Sequence, residues 1–281
     1  MSIQKVAVIG AGTMGLGIAQ VTALAGYEVL LYDLISETLE KAIQQIEINL
    51  QKGIERGKLD EVQMKETLSR ITLSDHEDDL VADLIIEAVV ENLNVKRKVF
   101  THLEEINSSM AILASNTSSI PITRIAAELK NPDRFIGIHF FNPAHIMKLV
   151  EIISGVATNE YTREASMTFI NKIGKVGVFA NDSPGFIVNR VARHFYVESL
   201  KLLEEDIADV ESLDDLMESC GFRMGPFRLM DLIGVDTNFS VTQSMFQAFH
   251  MDPKFRPSRI QQQKVDAGHH GRKSGKGFYK Y

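Results

Sequence analysis

"KVAVIGAGTMGLGIAQ", residues Lys5 to Gln20, decides the fold. Its opening, "KVAVIG", is a β-branched run ending on glycine, the pattern of a parallel strand buried on both faces. Gly10, Gly12 and Gly15 then spell G-x-G-x-x-G, and a helical segment from Met14 to Ala25 follows, closed by Gly26. A strand before and a helix after remove the ambiguity of the bare pattern. The three glycines serve a tight turn, the approach of backbone to a pyrophosphate, and close packing of helix on strand. The amides at the helix N-terminus, around Thr13 and Met14, are expected to face the phosphates. A glycine-rich turn with no ligand would account for the glycines alone, but not for Asp33. That residue ends the second strand, "YEVLLYD", at the roughly 20-residue spacing of the fingerprint. A carboxylate there accepts hydrogen bonds from both hydroxyls of an adenine ribose and repels a 2′-phosphate. Leu34 and Ile35 provide no arginine to offset that repulsion, so the expected cofactor is NAD and not NADP. FAD uses the same fingerprint, but the chain is short for a flavoenzyme.

Outward from this unit, "DLIIEAVV", "MAILAS" and "RFIGIHFF" are three more short apolar strands with helical segments between them. Strand and helix in alternation imply an α/β fold, a doubly wound, mostly parallel sheet of the Rossmann type. From Ser36 to about Ser69 the chain is polar and helical in period, too long for a simple crossover, and reads as a projecting helical hairpin. After "MKLVEIISG" come a helix around Thr162 to Ile173 and then "GKVGVFAN". "DSPGFIVNR", Asp182 to Arg190, breaks the pattern; beyond it Val188–Glu205, Leu213–Cys220 and Val235–Phe249 read as helices. The expected division is an α/β domain over residues 1–184 and an all-helical domain over 185–281.

Composition bounds the function. The chain has 281 residues, of which 44% are hydrophobic and 24% charged, the proportions of an ordinary globular protein. A net charge of -7 argues against a general nucleic-acid binder. Cys220 is the only cysteine, which excludes an intramolecular disulfide and a cysteine-built metal site, and no metal is expected. The N-terminus runs directly into a strand pattern without the features of a signal peptide, and no apolar run is long enough to span a bilayer. The expected setting is cytoplasmic, with no membrane partner. Asn116-Thr117-Ser118 matches a glycosylation pattern that reads as incidental in such a setting.

His139 lies at the end of the strand "RFIGIHFF", where the ligand crevice of an open α/β sheet is found. A lone strand histidine is more often structural. Glu151 lies in a second apolar segment, "KLVEII", beyond a loop containing Asn142-Pro143; if the segments fold back on each other, the carboxylate meets the imidazole. A carboxylate on one ring nitrogen fixes the tautomer and raises the basicity of the other. The competing reading of Glu151 is a salt bridge to a lysine such as Lys148. "ASNTSSI", Ala114 to Ile120, is a polar turn leaving another strand over the same crevice. Ser119 or a neighbour is a candidate cap for a helix starting near Pro121.

"GAGTMGLGIA", "EAVVENLNVKRKVF", "ILASNTSSI", "HFFNPAHIMKLVEII", "DSPGFIVNR", "MGPFRLMDLIGVD" and the terminal "GRKSGKGFYKY" occur in this order along the whole chain. In this it resembles the 3-hydroxyacyl-CoA dehydrogenases, and its length resembles the single-function enzymes, including bacterial 3-hydroxybutyryl-CoA dehydrogenases. The resemblance implies His139 as catalytic base, Glu151 as its orienting carboxylate, Ser118 on the substrate's 3-oxygen beside the nicotinamide, and Asn189 completing the polar pocket. It implies further NAD contacts at Glu91, Lys96, Asn142 and Lys273. The family holds the CoA phosphates and adenine through the hairpin after the second strand, commonly with a serine and a lysine. Here the corresponding positions carry Asn49 and Arg56, with Lys52 and Lys58 nearby, a departure that leaves a solvated helix face as the competing reading. The resemblance also implies an acyl-CoA partner and a homodimer. Short-chain 3-hydroxybutyryl-CoA is the first expectation for the substrate and 3-hydroxyadipyl-CoA the second, with Arg193, Arg223 and Arg228 as candidate cations for a second carboxylate. The rival classes are a 6-phosphogluconate-like dehydrogenase, whose glycine-rich substrate motif is not apparent, and a redox-inactive, crystallin-like NAD-binding protein.

Overall fold

The computed structural model describes residues 3–281, and the chain divides into two compact units, one ending at Ser183 and the other spanning Pro184–Tyr281. In the first unit the strands are β1 (Lys5–Ile9), β2 (Glu28–Tyr32), β3 (Ile71–Ser74), β4 (Leu84–Glu87), β5 (Ile112–Ser115), β6 (Phe135–Phe140), β7 (Leu149–Ser154) and β8 (Val176–Asn181). They form one sheet in the order β3-β2-β1-β4-β5-β6-β7-β8. Six of the seven pairings are parallel, and β6 with β7 is the antiparallel exception. β4, β5 and β6 are buried at every position, as their unbroken apolar runs require in a sheet covered on both faces. The strand order reverses between β1 and β4, which opens a crevice at the carboxyl ends of those strands.

The helices of this unit are α1 (Thr13–Leu24), α2 (Ser36–Glu55), α3 (Glu61–Ser69), α4 (Leu93–Ile106), α5 (Ile122–Ala126) and α6 (Glu160–Lys172). α2 and α3 form the expected hairpin, but α2 does not simply project. Leu39, Ala42, Ile46 and Leu50 recur every three or four residues, are buried, and join the cluster that includes Val8, Ile18 and Leu31. The reading as a free hairpin overlooked this stripe, because the charged residues between its members give the segment a polar average. α3 starts at a capping box, in which Asp60 accepts from the Gln63 amide and the Gln63 side chain accepts from the Asp60 amide. β3 was not expected at all: "ITLS" is four residues long and exposes two of them at the sheet edge.

The second unit holds α7 (Val188–Glu204), α8 (Val210–Ser219), α9 (Pro226–Ile233), α10 (Val235–Ala248) and α11 (Arg259–Asp266), and no strand among its described residues. Tyr196, Leu200, Leu213, Phe227 and Met230 pack its core. The C-terminal residues are tied to α9 by the buried Asp231, whose carboxylate accepts from the amides of Phe278 and Tyr279, each at 2.9 Å.

The buried stripe of α2 sets a test. Ile46→Ala is expected to cost about 2–5 kcal/mol by urea denaturation, as truncation of a fully buried isoleucine does. A loss under about 1 kcal/mol would mean that the hairpin is held outside the core.

Candidate active site

The glycine turn is built for close approach. Gly10 takes a φ of +93°, and a Cβ there would lie 2.7 Å from the carbonyl oxygen of Ala88. A Cβ on Gly15 would collide with the carbonyl oxygen of Gly10, so α1 lies directly on the end of β1. At Gly12 the space a Cβ would enter holds no atom within 4 Å, which leaves the turn open to a ligand. Gly12 is also the helix N-cap, so the amides that follow it, from Thr13 and Met14 onward, have no side-chain cap. Asp33 is pinned at the end of β2: one oxygen accepts from the Ala11 amide at 2.9 Å and the other from the Ile35 amide at 3.1 Å. An uncapped helix start with an oriented carboxylate beyond it suits a pyrophosphate and an adenosine ribose.

Across the crevice, a buried charge network shapes the polar turn. Glu87 and Lys96 are 0% and 1% exposed, with Lys96 Nζ 2.6 Å from Glu87 Oε1 and 3.2 Å from Glu91 Oε2. Glu87 also accepts from the Ser115 hydroxyl at 2.6 Å and from the Val89 amide at 2.7 Å. Glu91 Oε1 in turn accepts from the Thr117 hydroxyl at 2.5 Å, the Ser118 and Ser119 amides at 3.1 and 3.2 Å, and the Ser119 hydroxyl at 3.0 Å. Burial pushes the Glu91 carboxyl up, but the Lys96 ammonium and the Thr117 and Ser119 hydroxyls outweigh it and hold it below the usual glutamate range. Glu91 therefore stays ionised and keeps its grip on the turn from neutral pH down into the acid range. Lys96 sits beneath the turn as its counter-ion.

Ser119 is spent in this network and does not cap α5. The first amides of that helix, Ile122 and Thr123, donate instead to the two oxygens of Asp182 at 2.9 and 2.8 Å. The cap comes from some 60 residues away in sequence, beyond the reach of a local reading. Ser118 is left half-buried at the apex of the turn.

His139 and Glu151 face each other across the antiparallel β6–β7 pair, in direct register. Nδ1 of the imidazole lies 2.8 Å from Glu151 Oε2, with the residues 6% and 1% exposed. The alternative partner for Glu151, Lys148, is not the one the fold selects. Asn116 fixes the end of the histidine's strand by accepting from the Phe140 amide at 2.8 Å, and the Phe141 ring stands 4.5 Å from the imidazole. The loop beyond begins with a cis Asn142-Pro143 bond. A carboxylate at Nδ1 holds the neutral ring as the Nδ1–H tautomer, which puts the basic lone pair on Nε2.

The proposed CoA residues also come together. Asn49, Lys52, Arg56 and Lys58 line a cleft of about 580 Å³ with Gln20, Pro143 and His145. Asn49 is held there by Gln20 at 3.1 Å and Gln45 at 3.0 Å. In the second unit Asn189 is half-buried in the first turn of α7, and Lys273 is paired with Asp236 at 2.7 Å. Arg228 is engaged by Asp215 and Glu218 at 2.9 and 3.0 Å. Arg193 is buried and has no ion pair with a carboxylate among the described residues; its Nη1 donates to Asn238 and Thr242. The sequence reading passed over Glu87, Asn116, Gln20 and His145. An acid inside the apolar run "DLIIEAVV" was a usable signal for Glu87; Gln20 and His145 gave none, because tertiary packing alone brings them to the cleft.

A buried histidine–carboxylate pair and a glycine turn suited to a dinucleotide lie at the same carboxyl edge of one sheet. That combination defines a nicotinamide-dependent dehydrogenase acting on an alcohol. Residues 5–183 match the NAD binding domain of 3-hydroxyacyl-CoA dehydrogenase and residues 185–281 match its C-terminal domain. The chain belongs to the 3-hydroxyacyl-CoA dehydrogenase family, with NAD as its cofactor. It is 48% identical over 281 residues to 3-hydroxyadipyl-CoA dehydrogenase of Escherichia coli K12, covering 99% of this chain and 59% of that longer protein. It is 44% identical over 281 residues to 3-hydroxybutyryl-CoA dehydrogenase of Bradyrhizobium diazoefficiens, covering 99% of this chain and 96% of the relative. Among solved structures, (S)-3-hydroxybutyryl-CoA dehydrogenase PaaH1 of Ralstonia eutropha superposes with a TM-score of 0.97 at 40% identity, covering 100% of this chain and 99% of that one.

The network under the turn gives a direct test. Lys96→Met strands two carboxylates, one of them fully buried, and is expected to cost about 3–5 kcal/mol in a denaturant titration. Adding Glu87→Gln should restore part of that stability. A single variant within about 1 kcal/mol of the parent would show that the ion pairs do not organise the turn.

Proposed function

We propose that the chain oxidises (S)-3-hydroxyacyl-CoA thioesters to 3-oxoacyl-CoA with NAD, and carries out the reverse reduction, through His139 and Glu151. The observation that carries this reading is the buried 2.8 Å contact between those two side chains at the crevice edge of the sheet. Nε2 of neutral His139 takes the proton of the substrate's 3-hydroxyl, and Glu151 stabilises the imidazolium that results. A base positioned in this way is typically worth about 10² to 10⁴ in rate. NAD, when bound, supplies the acceptor for the C3 hydride. Ser118 and Asn189 orient the 3-oxygen, a positioning contribution. Gly10, Gly12, Gly15, Thr13, Met14 and Asp33 hold the adenosine pyrophosphate half of the cofactor, and the family resemblance assigns Asn142 and Lys273 to the remainder. Asn49, Lys52, Arg56 and Lys58 take the nucleotide end of CoA, a role that suits three cations around one cleft.

A short acyl chain is our first reading of the substrate, supported by relatives named for 3-hydroxybutyryl-CoA that this chain matches over nearly their whole length. A 3-hydroxyadipyl chain is the second. It is favoured by the E. coli relative named for that substrate and by Arg193, a buried guanidinium without a carboxylate. Burial pulls that guanidinium down to about 10, so it remains protonated at neutral pH and suits an anionic group.

Absorbance at 340 nm reports the reaction. The enzyme should consume NADH with acetoacetyl-CoA, and both His139→Ala and Glu151→Gln should lose about 10² or more in turnover while keeping NADH affinity. Near-parental turnover in either variant would sink the assignment of the base. Among butyryl, hexanoyl, decanoyl and adipyl substrates, the highest kcat/KM is expected for the four-carbon chain. An adipyl optimum that Arg193→Met abolishes would transfer the assignment to the dicarboxylic substrate.

A further inference from the structure

The wall of the basic cleft opposite Lys52 and Arg56 comes from the loop between β6 and β7, which contributes Pro143, His145 and Ile146. This loop has no regular structure; Ala144 anchors it in the core, while Ile146 and Met147 beyond it are exposed. Lys175, the residue just before β8, ties the exposed part of the loop back to its anchored start. Its side chain is buried, and its ammonium donates to the carbonyl oxygens of Ala144 at 2.6 Å and Met147 at 2.7 Å. No carboxylate pairs with it among the described residues; burial lowers the ammonium below the usual lysine range, and the two carbonyls offset that cost. A charged donor bridging both ends of one turn holds it more strongly than neutral bonds would.

Gly17 of α1 braces the same loop from the other side. A Cβ there would stand 3.1 Å from the Ala144 Cβ and 3.4 Å from the His145 amide nitrogen. His145 is thus set between the brace and the clamp, and burial, then Lys175 and Lys52, hold its imidazole below the usual range. That direction favours the neutral ring at pH 7.

We propose that Lys175 is a positioning residue of the acyl-CoA site, clamping the β6–β7 loop so that His145 and Pro143 close the nucleotide cleft against Lys52 and Arg56. It acts through the loop backbone and touches neither the reacting atoms nor the substrate. This rests on the assignment of the cleft to the nucleotide end of CoA. The role is separable from catalysis, because Asn116 and the β6–β7 register hold His139 without the help of Lys175.

The experiment compares acetoacetyl-CoA with acetoacetyl-pantetheine, which carries the same reacting group without the nucleotide. Lys175→Met should raise KM for acetoacetyl-CoA about tenfold or more, the size expected for loss of charge-assisted bonds to a binding loop. KM for acetoacetyl-pantetheine and kcat with either substrate should stay within about twofold. Gly17→Ala, which presses on the loop from α1, should show the same split at a smaller size, and it serves if Lys175→Met is poorly folded. Equal KM values for the two substrates in the parent enzyme would overturn the assignment of the cleft, and the role of Lys175 with it. A parental difference that Lys175→Met leaves intact, or equal losses on both substrates, would overturn the role of Lys175 alone.

Discussion

One antiparallel pairing in an otherwise parallel sheet brings His139 and Glu151 together, and the proposed chemistry depends on it. Had β7 run parallel to β6, it would have needed a long crossover, and the register of the two strands would have been set elsewhere. Folding straight back through a short loop puts residue 139 opposite residue 151, a histidine opposite a glutamate. The pair then shares one face of the sheet and one distance, with no flexible element between them. Because both side chains are buried, an unpaired Glu151 would be costly, and the imidazole is its compensation.

The same economy recurs under the polar turn. Glu87 and Lys96 are buried charges that would each be costly alone. Together with Glu91 they turn a short strand end into a fixed array of donors and acceptors, in which Glu91 alone receives two hydroxyls and two amides. The turn that carries Ser118 is therefore set before any ligand arrives, the condition for effective positioning. The β6–β7 loop is fixed by an equivalent device, a buried ammonium on two carbonyls. Strands hold the His139–Glu151 pair, and buried charges tie the loops around it.

Much of this was legible in the sequence. The three glycines and Asp33 gave the cradle, because their spacing is dictated by the cofactor's own dimensions. The apolar runs gave β1, β2, β4, β5 and β6; the segments of β7 and β8 were not assigned as strands, and β3, four residues with two exposed, carries too little pattern. The hairpin limits near Ser36 and Ser69 were readable, while its docking was not, since a four-residue stripe in a charged helix lowers no average. α9 and α11 are eight residues each and fell below a periodicity window, the latter being largely polar. His139 and Glu151 were suspected of meeting, but only the register shows that they do. Contacts made across long stretches of chain stayed hidden: Asp182 at the start of α5, Lys175 on the loop carbonyls, and His145 opposite Lys52. Nothing local to those residues distinguishes them from solvated side chains.

The central claim is that Glu151 holds His139 in the tautomer that makes it a base. Nitrogen-15 NMR of the histidine side chains, with His139 assigned by its loss in a His139→Gln variant, observes this directly. The account predicts that neutral His139 carries its proton on Nδ1 and that Glu151→Gln disturbs this preference. A neutral His139 protonated on Nε2, or a tautomer indifferent to Glu151→Gln, would contradict it.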